Sequence, residues 1–387
     1  MSKNNNYNPV VILLLVAAFV TVSWLYVIEI DSSAKDFAGM AAELSPDGSL
    51  KSERSEKHFE WKMVTSWPKN FPGLGTAPEH FAQAVERMSN GRLTIKVYGA
   101  GEIVPAMAVF SAVSQGTAEM GHSGAYYWKG KIPSSPFFTA VPFGLTAQEQ
   151  NGWLYYGGGL ELWREVYEPF NLIPMAGGNT GVQMAGWFNK EIKSLDDIKG
   201  LKMRIPGVGG EVFSRVGGTA VTMPGGELYT SLQTGVIDAT EWVAPYNDMA
   251  LGLHEVAKYY YYPGWQEPGP SLELLVNKDA FATLPKDLQA IVEVAARYAN
   301  QDMLDEYTAR NSSSLIDLEK NYNTKILKLP DDVLRELKRV SEEYLEELGA
   351  QDEITAKVYK SWKAYADNVK EYHHISEQAY INARDLE

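Results

Sequence analysis

The stretch from Phe59 to Val97 constrains the fold more than any other part of this 387-residue chain. Phe59-Glu60-Trp61-Lys62-Met63-Val64 reads as a strand, and Thr76 opens a helix in which Phe81, Val85 and Met88 fall at i, i+4 and i+7 and so share one inward face. Thr76 and Glu79 have the spacing of a capping box, with Pro78 in the first turn. Asn90-Gly91 then turns the chain into Leu93-Thr94-Ile95-Lys96-Val97, whose strict alternation is that of a strand. That is a β-α-β unit. Ala106 to Gln115 as helix and Ala118 to Gly121 as strand repeat the pattern, and further units run from Leu195 through Ile205 and from Glu211 through Asp238. The fold class is therefore α/β.

After Pro285 strands are expected to stop, leaving helices over Leu288 to Tyr307, Asp331 to Leu348 and a long final segment. In that segment Ile354, Val358, Trp362, Tyr365, Val369 and Tyr372 make one apolar stripe, which must pack either on its own lobe or on a second subunit in a homodimer. A hydrophobic content of 45% supports cores for two compact lobes. The formal net charge of −14 repels nucleic acid over most of the surface, so an anionic ligand needs a local positive site. With no cysteine, disulfides and thiolate metal sites are excluded.

At the N-terminus, Met1 to Pro9 is polar and Val10 to Ile28 is an unbroken run of nineteen apolar or small residues. A bilayer span takes about 20 residues and a signal core about 7–15, so residues 1–30 read as a retained anchor or a cleaved leader. Ser32-Ser33-Ala34, the nearest small-x-small site, lies past Glu29 and Asp31 and is poor cleavage chemistry. Either way the remainder is exported, on a polar linker over residues 31–58.

Enzyme signatures fail on inspection. Gly121-His122-Ser123-Gly124-Ala125 has alanine where a nucleophile elbow needs glycine. Gly73-Leu74-Gly75 and Gly207-Val208-Gly209-Gly210 lack dinucleotide spacing, and Lys258 stands where a zinc-protease helix beginning at His254 would place its second histidine. What remains is a set of polar residues suited to a small carboxylate. Arg204, in Lys202-Met203-Arg204-Ile205-Pro206-Gly207, offers a planar donor fork, and the acids of Glu241-Trp242 and Gln266-Glu267 make sense beside an anion only with a cation between them. Taken singly, each has an ordinary explanation: a surface salt bridge for Arg204, exposed acids for Glu241 and Glu267, core packing for Trp67, Trp242 and Trp265. Tyr259 to Tyr262 reads as an amphipathic strand leading toward the site.

Together with Thr65-Ser66-Trp67-Pro68-Lys69-Asn70-Phe71, Gly121 to Tyr126, Gly178 to Gln183 and Pro263-Gly264-Trp265-Gln266-Glu267, these stretches resemble the solute-binding subunit of tripartite ATP-independent periplasmic (TRAP) transporters, in the subgroup that binds 2-oxo acids or lactate with a metal ion. The resemblance covers residues 58 to 380. It implies a two-lobe periplasmic binding protein fold with a helical C-terminal extension: lobe I over 59–180 with a return segment at 269–310, lobe II over 181–268, and C-terminal helices over 311–387, including a long helix of the kind some dimeric relatives exchange between subunits. It also implies that Arg204 clamps the substrate carboxylate, that Gln183 reaches the cation or a substrate oxygen, and that Glu241, the main-chain oxygen of Trp242 and Glu267 hold the cation. Tyr126 is then a hydrogen-bond donor to the guest and Phe71 an apolar wall. Tyr127 is the alternative to Tyr126, since a period-two strand sends only one of the pair inward, and Gln266 is the alternative to Glu267. Closure about strands that include the one carrying Gln183 should bring Arg204 against Tyr126. The implied partners are a small monocarboxylate and the transporter's membrane subunits.

The charges agree with a bound cation. A substrate carboxylate, Glu241 and Glu267 against one arginine leave two negative charges that calcium would cancel and sodium would halve, and oxygen-only ligands suit either ion. Two rivals use the same residues. One is a metal-dependent hydrolase or lyase with Glu241 or Glu267 as general base; the other is a sensor-type binding protein without a transporter.

Overall fold

The computed structural model describes residues 57–386. The anchor or leader expected at 1–30 and nearly all of the linker lie outside these residues. No helix among those described is long and apolar enough to cross a membrane.

Two mixed sheets organise the molecule. The first contains β1 (Phe59–Thr65), β2 (Leu93–Tyr98), β3 (Met120–Ser123), β4 (Leu172–Asn179) and β10 (Ser271–Asn277) in the order β2-β1-β3-β10-β4. β1 pairs in parallel with β2 and β3, as β-α-β units require, whereas β10 enters antiparallel to β3 and β4. The second sheet, ordered β11-β9-β5-β8-β6-β7, is built from β5 (Gly186–Phe188), β6 (Lys202–Arg204), β7 (Thr219–Val221), β8 (Ala239–Thr240), β9 (Tyr259–Tyr262) and β11 (Lys325–Lys328). The chain crosses between sheets after β4, returns after β9, and crosses a third time through a helix of 36 residues, Lys286–Asn321, that leads to β11. The two extended crossings run side by side: Gln183 N donates to Glu267 O at 3.2 Å and Thr180 N to Pro270 O at 3.4 Å. Site residues are thereby carried to the seam between lobes.

Several local expectations change. Thr76 is not a capping residue: its backbone is already helical, and its hydroxyl reaches Gly73 O at 3.4 Å instead of a free amide, because the turn from Phe71 runs directly into the helix Ala77–Met88. Phe81 and Val85 are fully buried, each contributing roughly 1.5–3 kcal/mol, but Met88 at the helix end is 44% exposed. Ala106–Ala108 is a tight 3₁₀ turn before the short helix Val109–Ser114, and the following strand begins at Met120 rather than Ala118. Strands do not stop at Pro285. Lys325–Lys328 pairs in parallel with β9, completing the second sheet, and the boundary expected at 310/311 falls inside the long helix. Nor is β9 amphipathic. Tyr260 stacks on Trp187 on one side, at 4.1 Å, while Tyr261 lies against Phe188 on the other, so both faces are covered.

The C-terminal stripe packs on its own chain. In the helix Glu353–Ile375, Val358 and Trp362 are buried, Trp362 lies 5.5 Å from the Phe137 ring, and Ile354, Tyr365 and Val369 join the same core. Tyr372 stands apart at 63% exposure.

Candidate ligand and cation site

The residues expected to form a site come together from three sources. Phe71 and the turn Ala125–Trp128 extend from strands of the first sheet, Arg204, Glu241 and Trp242 from the second, and Gln183 and Glu267 sit on the two crossings. Arg204 and Glu241 are both 1% exposed and form an ion pair through Nη1 and Oε1. Arg204 Nη1 also donates to Glu241 O at 3.2 Å, Nε donates to Met223 O at 3.2 Å, and Nη2 reaches the Tyr127 hydroxyl at 3.4 Å. The guanidinium lies 5.1 Å from the Trp242 ring centroid, a cation–π contact that further fixes its plane. Gln183 Nε2 donates to Glu267 Oε2 at 2.9 Å and to Thr180 Oγ1 at 3.3 Å.

Tyr126 and Tyr127 are not alternatives on an extended strand. Ala125–Trp128 is a 3₁₀ turn, which spaces side chains by about a third of a turn instead of alternating them. Both rings therefore reach the site, 4.7 Å apart and nearly perpendicular. Burial raises both phenol pKa values, with Glu267 adding to the rise, so each hydroxyl stays a protonated donor at neutral pH. Across the seam Tyr126 abuts Gly207, where a Cβ would sit 3.3 Å from that of Tyr126. Phe71 and Trp67 meet Trp242 edge-on at 6.4 and 6.2 Å, forming an aromatic wall from both lobes.

Local sequence explains the proximity. Pro263-Gly264-Trp265-Gln266-Glu267 needs glycine at its second position, since a Cβ on Gly264 would lie 2.1 Å from Gln183 O. That contact lets the crossings approach and sets Gln183 against Glu267. Gln266 flanks Glu267: its Nε2 donates to Met184 O at 2.8 Å, and its side chain also stands beside the Glu241 carboxylate.

Residues 63–352 match the bacterial extracellular solute-binding proteins of family 7, the DctP family. The chain belongs to this family. A monocarboxylate 2-oxoacid-binding periplasmic protein of Nostoc sp. is 46% identical over 325 residues, spanning 84% of this chain and 89% of that one. A TRAP periplasmic solute-binding protein from Colwellia psychrerythraea, solved with bound calcium and pyruvate, superimposes with a TM-score of 0.82 at 44% identity, covering 84% of this chain and all of that one. One from Pseudoalteromonas atlantica, solved with sodium and pyruvate, gives 0.83 at 44% identity over 86% and 100% of the two chains. Family 7 members are solute receptors of the extracytoplasmic space.

In this family 7 protein the electrostatics of the site favour an added cation. Burial raises the pKa of Glu241 against the pull of Arg204, and burial together with the charge of Glu241 raises that of Glu267. Burial disfavours the Arg204 charge as well, yet the Glu241 carboxylate more than offsets it. With both acids ionised, one guanidinium would leave a negative charge in excess in a dry volume, and the raised pKa values register that cost. Glu241 Oε2, Gln183 Oε1 and Gln266 Oε1 are buried acceptors without a hydrogen-bond partner. Acceptors so placed suit a hard cation, which needs oxygen ligands and no donors. Among the described residues no cluster of three or more His, Cys, Asp or Glu side chains is poised for a metal.

Two supports of the site carry no signal in the sequence. Met223 contributes only a carbonyl, for which no side-chain signal exists. Asp248, fully buried, accepts from Trp187 Nε1, Tyr260 OH and Val243 N, and nothing in Pro245-Tyr246-Asn247-Asp248 marks an acid as internal.

Proposed function

We propose that this chain is the exported receptor of a TRAP transporter, binding a small monocarboxylate, a 2-oxo acid such as pyruvate or the 2-hydroxy acid lactate, together with a calcium or sodium ion. The reading is carried by one observation: Glu241 Oε2, in the buried pair with Arg204, and Gln183 Oε1, whose amide nitrogen donates to Glu267, are both buried acceptors without a hydrogen-bond partner. Glu241, Glu267, Gln183 and the main-chain oxygen of Trp242 would hold the cation, Arg204 would clamp the carboxylate, Tyr126 would donate to the guest, and Phe71 with Trp242 would bound its tail. A 2-oxo acid offers a carboxylate oxygen and its neighbour to one ion as a chelate, which favours it over acetate. Similarity to pyruvate-bound proteins holding either calcium or sodium supports both ions.

In this reading lobe I spans 59–180 with a return near 269–310 and lobe II spans 181–268, and closure about the crossings at Gln183 and Glu267 encloses the guest before delivery to the membrane subunits. The chain acts as a receptor without chemistry on the acid. Tyr372, Ile375 and Tyr380, all exposed, leave an apolar end on the last helices for a second copy, which sedimentation at micromolar concentration tests.

Calorimetric titration with pyruvate in sodium-free buffer, with and without a calcium chelator and with either ion added back, tests the central reading. Binding that vanishes with the cation supports it, and unchanged affinity after cation removal contradicts it. Consumption of the acid in the presence of calcium would replace the receptor with the hydrolase or lyase.

A further inference from the structure

The segment that carries Glu241 and Trp242 runs straight into the helix Pro245–Ala250, which holds two consecutive polar side chains with no exposure, Asn247 and Asp248. They face different lobes. Asp248 accepts from Val243 N at 3.1 Å through Oδ1, and from Trp187 Nε1 at 2.9 Å and Tyr260 OH at 2.8 Å through Oδ2, tying the chain just after Trp242 to β5 and β9. Asn247 instead donates from Nδ2 to Pro72 O at 2.8 Å and accepts from Tyr307 OH at 2.5 Å. Pro72 directly follows Phe71, and Tyr307 lies on the long helix, its ring filling the space that a Cβ on Gly73 would enter at 2.2 Å.

We propose that Asn247 and Asp248 form a two-sided positioning element: Asp248 sets the Glu241–Trp242 segment against its own sheet, and Asn247 couples that segment to the Phe71 loop of the other lobe. The aromatic wall and the acid-and-cation end of the pocket then assemble as one unit. An apolar pair would fill the same volume without the cost of burying an amide and a carboxylate, so the directional bonds are what distinguish this choice. The ligand consequences rest on the function proposed above; the coupling between lobes does not.

Asn247→Leu keeps the volume and removes both interlobe bonds, Tyr307→Phe removes one, and Asp248→Asn disturbs only the other side. Measured well below each variant's melting temperature, Asn247→Leu should weaken pyruvate at saturating calcium by about tenfold or more, as expected for two lost buried bonds. Calcium affinity without the acid, followed by tryptophan fluorescence, should stay within about threefold. Tyr307→Phe should show a smaller loss of the same kind. Asp248→Asn should lower calcium affinity itself. A lower melting temperature with both affinities unchanged would reduce the pair to ordinary core packing and overturn the proposal. If the wild-type chain binds neither pyruvate nor calcium, the functional reading fails, and hydrogen exchange still decides the coupling. Asn247→Leu must then accelerate residues 71–76 and 241–244 together, and unchanged exchange in either segment overturns it.

Discussion

Arg204 and Glu241 hold each other by three contacts. The Glu241 amide donates to Arg204 O at 3.2 Å, Arg204 Nη1 donates to Glu241 O at 3.2 Å, and the same nitrogen pairs with the Glu241 carboxylate. Parallel pairing of β6 with β8, in which Arg204 lies opposite Thr240, produces this register. The guanidinium is thus oriented by the segment whose acid it neutralises, and its plane is pinned again by Met223 O and Trp242. A fork held at so many points keeps its geometry while a guest enters, which lowers the ordering cost of binding.

Replacing Arg204 separates charge from shape. Arg204→Lys keeps a cation but has no planar fork for a carboxylate, and should weaken the acid by about 2 kcal/mol, roughly thirtyfold, in calorimetry. Arg204→Ala leaves Glu241 buried without its partner and should destabilise the fold by about 3–5 kcal/mol in denaturant titration. Equal affinity of the lysine variant and the wild type would remove the clamp.

Glu267→Gln tests the cation. The substitution keeps an oxygen near Gln183 but takes away a carboxylate whose charged form, opposed by burial and by Glu241, a bound cation would restore. Calcium, which draws its affinity from carboxylates, should lose about tenfold or more, and sodium less. Competition between the two ions, read by tryptophan fluorescence, should therefore shift toward sodium. A variant with unaltered preference places the second acid outside the cage.

The fold was legible where periodicity is local. The pattern of Phe81 and Val85, the alternation of Leu93 to Val97 and the stripe from Ile354 to Val369 each describe one element against its neighbours, and each element forms. Failures occurred where a tertiary partner decides. Lys325–Lys328 becomes a strand because β9 offers a free edge, not through its own four residues, and Tyr127 enters the site because a 3₁₀ turn replaces an extended strand. Arg204, Glu241, Gln183 and Glu267 meet as expected. The resemblance supplied that grouping, since they are spread over more than eighty positions of the chain. Met223 O and Asp248 were illegible because a carbonyl has no identity in sequence and an acid's burial depends on who surrounds it.

Gly264→Ala probes how the crossings are held together. Its methyl would stand 2.1 Å from Gln183 O, main-chain contact that no side-chain rotation relieves. The crossings must separate, carrying Gln183 away from Glu267. We expect a loss of about 2–3 kcal/mol in stability and weaker cation binding by about tenfold or more, both reversed little by added salt. Retained affinity with lowered stability would show that the Gln183–Glu267 contact is dispensable.

Glu273 makes the pH dependence of the fold testable. It lies on β10, without exposure, and its carboxylate accepts from Trp128 Nε1 and from Tyr167 OH at 2.9 Å, with no cation beside it. Burial pushes its pKa from 4.5 to about 8 against the pull of those two donors. A raised carboxyl pKa means the folded state keeps a proton that the unfolded state has released, so stability is fullest below about 4.5 and falls as pH rises toward 8. At about 1.4 kcal/mol per unit, the loss is at most about 5 kcal/mol. His122 works in the opposite sense: burial lowers it from 6.5 to about 4, and its neutral ring accepts from Trp67 Nε1 at 2.7 Å and donates to Gly177 O at 3.1 Å. Its contribution is complete above 6.5 and disappears as pH falls toward 4. Wild-type stability should therefore pass through a maximum between these limbs. Glu273→Gln preserves shape and an acceptor for Trp128, so thermal unfolding from pH 4 to 9 should show a shallower alkaline decline, with the share of the raised acids Glu241, Glu267 and Asp248 left in place, and an unchanged acidic one. A variant that still weakens between pH 6 and 8 to the wild-type extent would assign the alkaline limb to another group.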